Sequence, residues 1–228
     1  MARGEPAQAG EAFEGERSRE SLVAEVLAAL AYGEKRGATR SRETVELAPD
    51  ARSRTEQQHV ADLERQNWEL IEARAQELHG EQYIVLFATY LDAFFDHTEP
   101  ADWIEAQAFH YVGDALVSDF ADVIVPLVDR VSALIIRRAL GDREDQETFA
   151  LDELTRAMAE HPGAKDRIRL YAQRVVGEAF TQTARAMEAT EGLRTLLGGE
   201  EGGKRLVLLL LDRHRQRLDR LGIEPVED

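Results

Sequence analysis

Apolar residues recur at three- and four-residue spacing from Ser21 onward. Leu22, Val23, Val26, Leu27, Leu30, Ala31 and Ala38 line one face of a helix that should fade near Ala48, before Pro49. A second helix, from about Asp50 to Leu78, carries the stripe Val60, Leu63, Asn67, Leu70 or Ile71, and Leu78, and Gly80 closes it. The run "EQYIVLFATYLDAFFD" is apolar nearly all round. It exceeds ordinary strand length and has no partner strand, so it predicts a buried helix. Thr98 as cap and Pro100 in the first turn open a helix that runs from about Ala101 to Val125 and stops at Pro126. The next helix spans Leu127 to Glu160, with Gly141 as a kink point, and ends at "HPG". Another covers Ala164 to about Ala189. "GLRTLLGGEEGGK" reads as a flexible loop, and a last helix runs from Lys204 to Leu221 with Gly222 at its end.

No segment calls for a sheet, and every proline falls at a helix boundary or in a tail. The pattern predicts an all-α fold, a four-helix bundle with additional C-terminal helices. Residues 1–19 are rich in Gly, Glu, Ala and Arg and predict a disordered tail. Residues 20–222 form one helical domain in this reading, and residues 223–228 a fraying tail.

Composition narrows the chemistry. The 228 residues contain no cysteine, which excludes disulfides, thiolate metal sites and cysteine nucleophiles. The formal net charge is −16. An acidic surface repels phosphate backbones and anionic membranes alike. The longest apolar runs, Tyr83 to Leu91 and Leu206 to Leu211, are too short to span a bilayer. The N-terminus lacks the apolar core of a signal peptide, so the expected location is cytoplasmic.

Several acids break the rule that polar groups face solvent. Glu34 continues the stripe of the first helix, four residues after Leu30. Glu64 lies four after Val60, and Glu105 four after Ala101. Asp142 follows Ile135 by seven, and Asp145 sits three beyond it. One inward carboxylate per helix is the logic of a carboxylate-bridged two-metal centre, in which two helices give a Glu each and two give Glu-x-x-His. Carboxylates with imidazoles suit iron or manganese. Here "ERQN" and "DRED" stand where the two Glu-x-x-His units belong, with Asn67 and Asp145 at the histidine positions. The bland alternative is that each acid is an edge residue or an arginine partner, as befits a chain with 44 acids. Without metal, clustered carboxylates would need raised pKa values or an arginine among them, and Arg65, Arg138 and Arg143 are near enough in sequence.

The segments "LAYGE", "DWIEAQAFHYVGDALVSDF" and "RVVGEAFTQTARA" resemble an actinobacterial ferritin-like family similar to the di-iron tRNA hydroxylase that modifies a thiomethylated, isopentenylated adenosine. The likeness runs from about Leu27 to Gly222. It implies a ferritin-like bundle in which the family's glutamates match Glu34, Glu64 and Glu105 and its fourth-helix acid matches Asp142. The expected imidazoles are replaced by Asn67 and Asp145. The candidate remnant ligands are therefore Glu34, Glu64, Glu105, Asp142 and Asp145, with no metal expected at full occupancy. The alternative is two iron or manganese ions.

Lesser candidates remain. Glu178, three residues after Val175, is either an acid behind the ligands or an arginine partner. His110 and Asp114, four apart on one face, are a proton relay or a satisfied helix-surface pair. The basic run "RHRQRLDR" (Arg213 to Arg220) either meets RNA phosphates or pairs with neighbouring acids. The residues support two functions: a binding scaffold with a degenerate di-metal site, or a di-metal oxygenase acting on a modified tRNA base or another hydrocarbon-bearing substrate. Charge argues against nucleic acid, the resemblance admits tRNA, and a protein partner or a second copy is open. No membrane partner is expected.

Overall fold

The computed structural model describes residues 18–141 and 143–224. The N-terminal tail up to residue 17, the last four residues and Asp142 lie outside the described residues. Ten helices run in chain order: α1 (Arg19–Thr44), α2 (Ala51–Glu77), α3 (Ile84–His97), α4 (Trp103–Phe109), α5 (Ala115–Ile124), α6 (Arg130–Leu140), α7 (Glu144–Glu160), α8 (Ala164–Ala189), α9 (Gly192–Leu197) and α10 (Glu200–Arg220). No strand occurs among the described residues. The helices start where side chains can cap them. Ser18, Asp50, Asp102 and Asp129 each accept a backbone N–H of the first turn.

The bundle is built from α1, α2, the α4–α5 rod and the α6–α7 pair. Its core is filled by side chains such as Leu27, Ile71, Ile124, Ile136 and Leu154, all 0% exposed. Each contributes about 1.5–3 kcal/mol by leaving water. The C-terminal helices close the sides: α8 packs on α3 and α4, α9 on α1, and α10 on α5 and α9. The basic run on α10 is engaged in this closure. Arg217 makes a two-bond fork onto buried Asp119, Arg213 reaches Asp119 and Asp122, and Arg220 reaches Glu147. No helix of the described residues is long and apolar enough to cross a membrane.

Four local features depart from the sequence pattern. The expected helix over residues 101–125 is interrupted by a π-helical turn, His110–Asp114. The expected helix over 127–160 is two helices, because Gly141 ends α6 and the chain re-enters at Glu144. The expected loop after Gly192 is mostly helical: Gly198, at φ 83°, ends α9 and α10 begins at Glu200. Finally, α3 is not buried all round. Only Phe87 and Phe95 are fully covered, and Val85 is 74% exposed. Its surplus of apolar residues lines a cavity that it shares with α1 and α8.

Gly80 permits a close approach at the α2–α3 corner, where a Cβ would stand 2.8 Å from the Ala24 carbonyl oxygen and 2.9 Å from that of Ala75. Gly80→Ala should therefore cost roughly 1–3 kcal/mol through backbone overpacking. Gly177→Ala, mid-α8 with nothing within 4 Å of its Cβ, should gain up to about 1 kcal/mol of helix propensity. Urea melts of the two variants beside the wild type check the opposite signs.

Candidate functional site

Four elements of the bundle each place an ionisable group at its centre. Helix α1 supplies Glu34, 5% exposed, and α2 supplies Glu64, 2% exposed. The π turn supplies His110 and Asp114, and Arg143 arrives from the break between α6 and α7. A π turn inserts one residue into the helical register and is a frequent mark of functional sites. Here it carries two of the five ionisable groups.

Arg143 is the countercharge. Its Nη2 donates to Glu34 Oε2 at 2.6 Å, and Nη1 stands 4.0 Å from Asp114 Oδ1. Burial pulls the Arg143 pKa down, but the carboxylates of Glu34, Asp114 and Glu64 more than offset it and hold it above the ordinary range. Glu34 is raised by burial, against the pull of Arg143. Glu64 is pushed up to about 8, first by burial and then by the neighbouring charge of Asp114. Its Oε2 accepts from Ser41 Oγ at 2.5 Å, whereas Oε1 is buried without a partner.

His110 ends a directional chain of hydrogen bonds. Gln107 Nε2 donates to Gln57 Oε1 at 2.9 Å, so the Gln57 amide group is left to donate to His110 Nε2 at 3.0 Å. With Nε2 accepting, the ring proton sits on Nδ1 and is donated to Asp114 Oδ2 at 2.8 Å. Burial lowers the His110 pKa, but Asp114 more than offsets it, for a net rise. The second proton this favours on Nε2 would oppose the Gln57 amide, so protonating the ring requires that amide to turn over.

The residues named from sequence distribute unevenly. Glu34 and Glu64 enter the cluster. Glu105 does not: it lies at the start of α4, accepting from the Ala101 N–H at 3.0 Å and from Arg174, with Arg167 at 3.6 Å. Asp145 is exposed in the first turn of α7, which turns it away from the core. Asp142 is outside the described residues. Asn67 is half-buried, one turn beyond Glu64. Glu178 pairs with His97 Nδ1 at 2.7 Å and accepts from Gln182 Nε2, on α8. His110 and Asp114 had shown only as a relay or a surface pair in the sequence, yet both belong to the cluster and His110 is buried. Their i, i+4 spacing in an otherwise apolar segment was the available signal.

A two-metal centre does not fit this set. The guanidinium of Arg143 stands between Glu34 and Asp114, the lone imidazole spends its Nδ1 proton on Asp114, and Glu105 is paired elsewhere. One smaller constellation remains: ligand atoms of Glu64, His110 and Asp114 lie within 4.8 Å of one another.

The cluster forms the polar end of an otherwise apolar cavity of about 210 Å³. Its walls come from α1, α3, the α4–α5 rod and α8, with aromatic side chains such as Phe94, Phe109 and Phe180. A second, more polar cavity reaches His110, Asp114 and Arg143 from the side of Gln146, Glu147 and Arg217.

A family model described as a ferritin-like domain of actinomycetes matches residues 17–200. No curated protein matches the chain.

The raised pKa of Glu64 predicts a pH dependence. The folded state keeps a proton that the unfolded chain releases above about 4.5, so this contribution is complete below that pH and is lost as pH rises through about 8. Glu64→Gln carries a neutral side chain of the same shape. Its stability relative to wild type should rise across pH 5–8 by up to about 1.4 kcal/mol per unit. Thermal melts at several pH values check this, and parallel profiles would contradict it.

Proposed function

The chain belongs to the actinomycete ferritin-like domain family, and from that premise we propose that it is a binding scaffold whose interior cation is an arginine. The observation that carries the reading is the 2.6 Å pair of Arg143 with Glu34 at the centre of the bundle, with Asp114 beside it. In a carboxylate-bridged centre, metal charge offsets the carboxylates and brings oxygen activation within reach. A guanidinium offsets charge equally well but has no open coordination position and no redox chemistry. The bundle keeps its buried carboxylates and its neighbouring cavity without needing a metal to hold them. It forms one domain over residues 20–222 and resides in the cytoplasm in this reading.

A second reading rests on one observation. Glu64 Oε1 has no partner and shares a 4.8 Å sphere with His110 and Asp114, a set that could hold a single divalent cation. Binding there requires His110 Nδ1 to surrender its proton and Asp114 its hydrogen bond. The resemblance to the tRNA hydroxylase keeps an oxygenase as the alternative activity. The acidic charge and the pairing of Arg213, Arg217 and Arg220 with acids weigh against an RNA surface on α10.

Metal content separates the readings. Wild-type protein from iron- and manganese-supplemented medium should carry well below one ion per chain by elemental analysis. Arg143→Ala leaves Glu34 buried and unpaired, which should cost roughly 3–5 kcal/mol. Added manganese should restore part of that loss in the variant and leave the wild-type melt unmoved. One ion per wild-type chain would favour the single-ion reading, and two would overturn the scaffold reading in favour of the oxygenase.

A further inference from the structure

The apolar cavity is kept open by residues that a helix would otherwise replace. Gly33 and Gly37 lie in the interior of α1, one turn apart, and both line it. A Cβ on Gly33 would meet nothing closer than Leu91 Cδ2 at 3.9 Å, and one on Gly37 nothing closer than Glu64 Oε2 at 3.9 Å. Neither has a positive φ. Neither glycine is thus demanded by backbone conformation or by close packing, and each lowers helix propensity relative to alanine. What both provide is empty volume. On the facing side, α3 spends Phe87, Tyr90, Leu91 and Phe94 on the same space, although much of that helix is otherwise open to solvent.

The polar end sets the head group. Arg143 lines the cavity with its side chain 8% exposed, and its Nε is buried with no hydrogen-bond partner. Its charge is already matched by Glu34, and Asp114 stands close by. A ligand carboxylate would add a further anion to this group, and a ligand ammonium would face Arg143. A neutral oxygen can accept from Nε and leave the pairs intact.

We propose that the cavity binds an uncharged molecule with a hydrocarbon body of about ten carbons and a single hydroxyl or carbonyl oxygen, which accepts a hydrogen bond from Arg143 Nε. The inference rests on the scaffold reading and extends it to a ligand class. The body occupies the space between α1, α3 and α8 that Gly33 and Gly37 leave free.

Isothermal titration of the full chain with 1-decanol, decanoate and decylammonium tests this. The expected result is one decanol per chain, bound at least tenfold more tightly than either charged analogue. Gly33→Leu should abolish decanol binding without lowering the melting temperature. Ala179→Leu fills the cavity from α8 and serves the same purpose should the first variant fold poorly. Absence of decanol binding, equal binding to wild type and filled variants, or tighter binding of decanoate would each overturn the proposal. Elemental analysis of the same preparation keeps the two readings apart. Decanol binding with stoichiometric metal would sink the scaffold reading and spare the ligand class, and metal-free protein that ignores decanol would do the reverse.

Discussion

Three carboxylates meet between helices that are otherwise held together by leucine and isoleucine, and everything at the centre of this bundle depends on how their charge is met. Removing a carboxylate from water costs several kcal/mol even after relaxation, and a second one nearby raises the cost. The chain answers in two ways. Glu34 is matched by Arg143 at 2.6 Å, and Glu64 shifts to about pH 8, which leaves it protonated near neutrality. Asp114 is shared between the His110 N–H and the edge of Arg143. The helix break after Gly141 is part of this solution, since it delivers Arg143 from the junction of two helices, outside the regular phase of either.

The π turn settles which residues can take part. Reading Glu105 inward with Ala101, Ala108 and Val112 assumes an unbroken helical phase through residues 110–114. One inserted residue rotates the helix before the turn by about 100° relative to the helix after it. Glu105 then meets Arg174 at the edge of α8, while His110 and Asp114 come to the centre. Composition and periodicity do not reveal such an insertion. Its consequence was nonetheless visible as a histidine and an aspartate four residues apart inside "FHYVGDALV".

The helices themselves were legible because their stripes, caps and prolines agree. Ser18, Asp50 and Asp129 start helices by their side-chain chemistry, and Pro49, Pro100, Pro126 and Pro162 fall between them. Glu34 and Glu64 were legible for the same reason, as each sits in a long uninterrupted stripe of its own helix. Asp145 was not, because Gly141 breaks the phase on which its placement depended, and it begins a new helix facing solvent. The stretch after Gly192 misled in the other direction. Its glycines suggested a loop, yet Gly198 and Gly199 serve as the junction between two helices and Gly202 and Gly203 lie within α10. The basic run on α10 conveyed its charge but not its partners, which are acids distant in sequence on α5 and α7.

Stability alone does not account for a buried ionic cluster. Well-packed apolar residues of similar volume usually serve a core equally well or better. Here the cluster lies against a cavity that two helical glycines hold open and an aromatic-rich helix encloses. The polar groups and the space reinforce one another. A charged pair in a dry wall is favourable only if its hydrogen bonds are nearly complete, and this one retains an unpartnered Nε–H on Arg143. An acceptor arriving through the cavity would complete it, while the apolar walls would exclude the water that could otherwise do so. The same arginine that takes over the charge-balancing task of a metal therefore also defines what the neighbouring space can hold. In this bundle the loss of metal-binding geometry and the gain of a ligand site are two consequences of a single side chain.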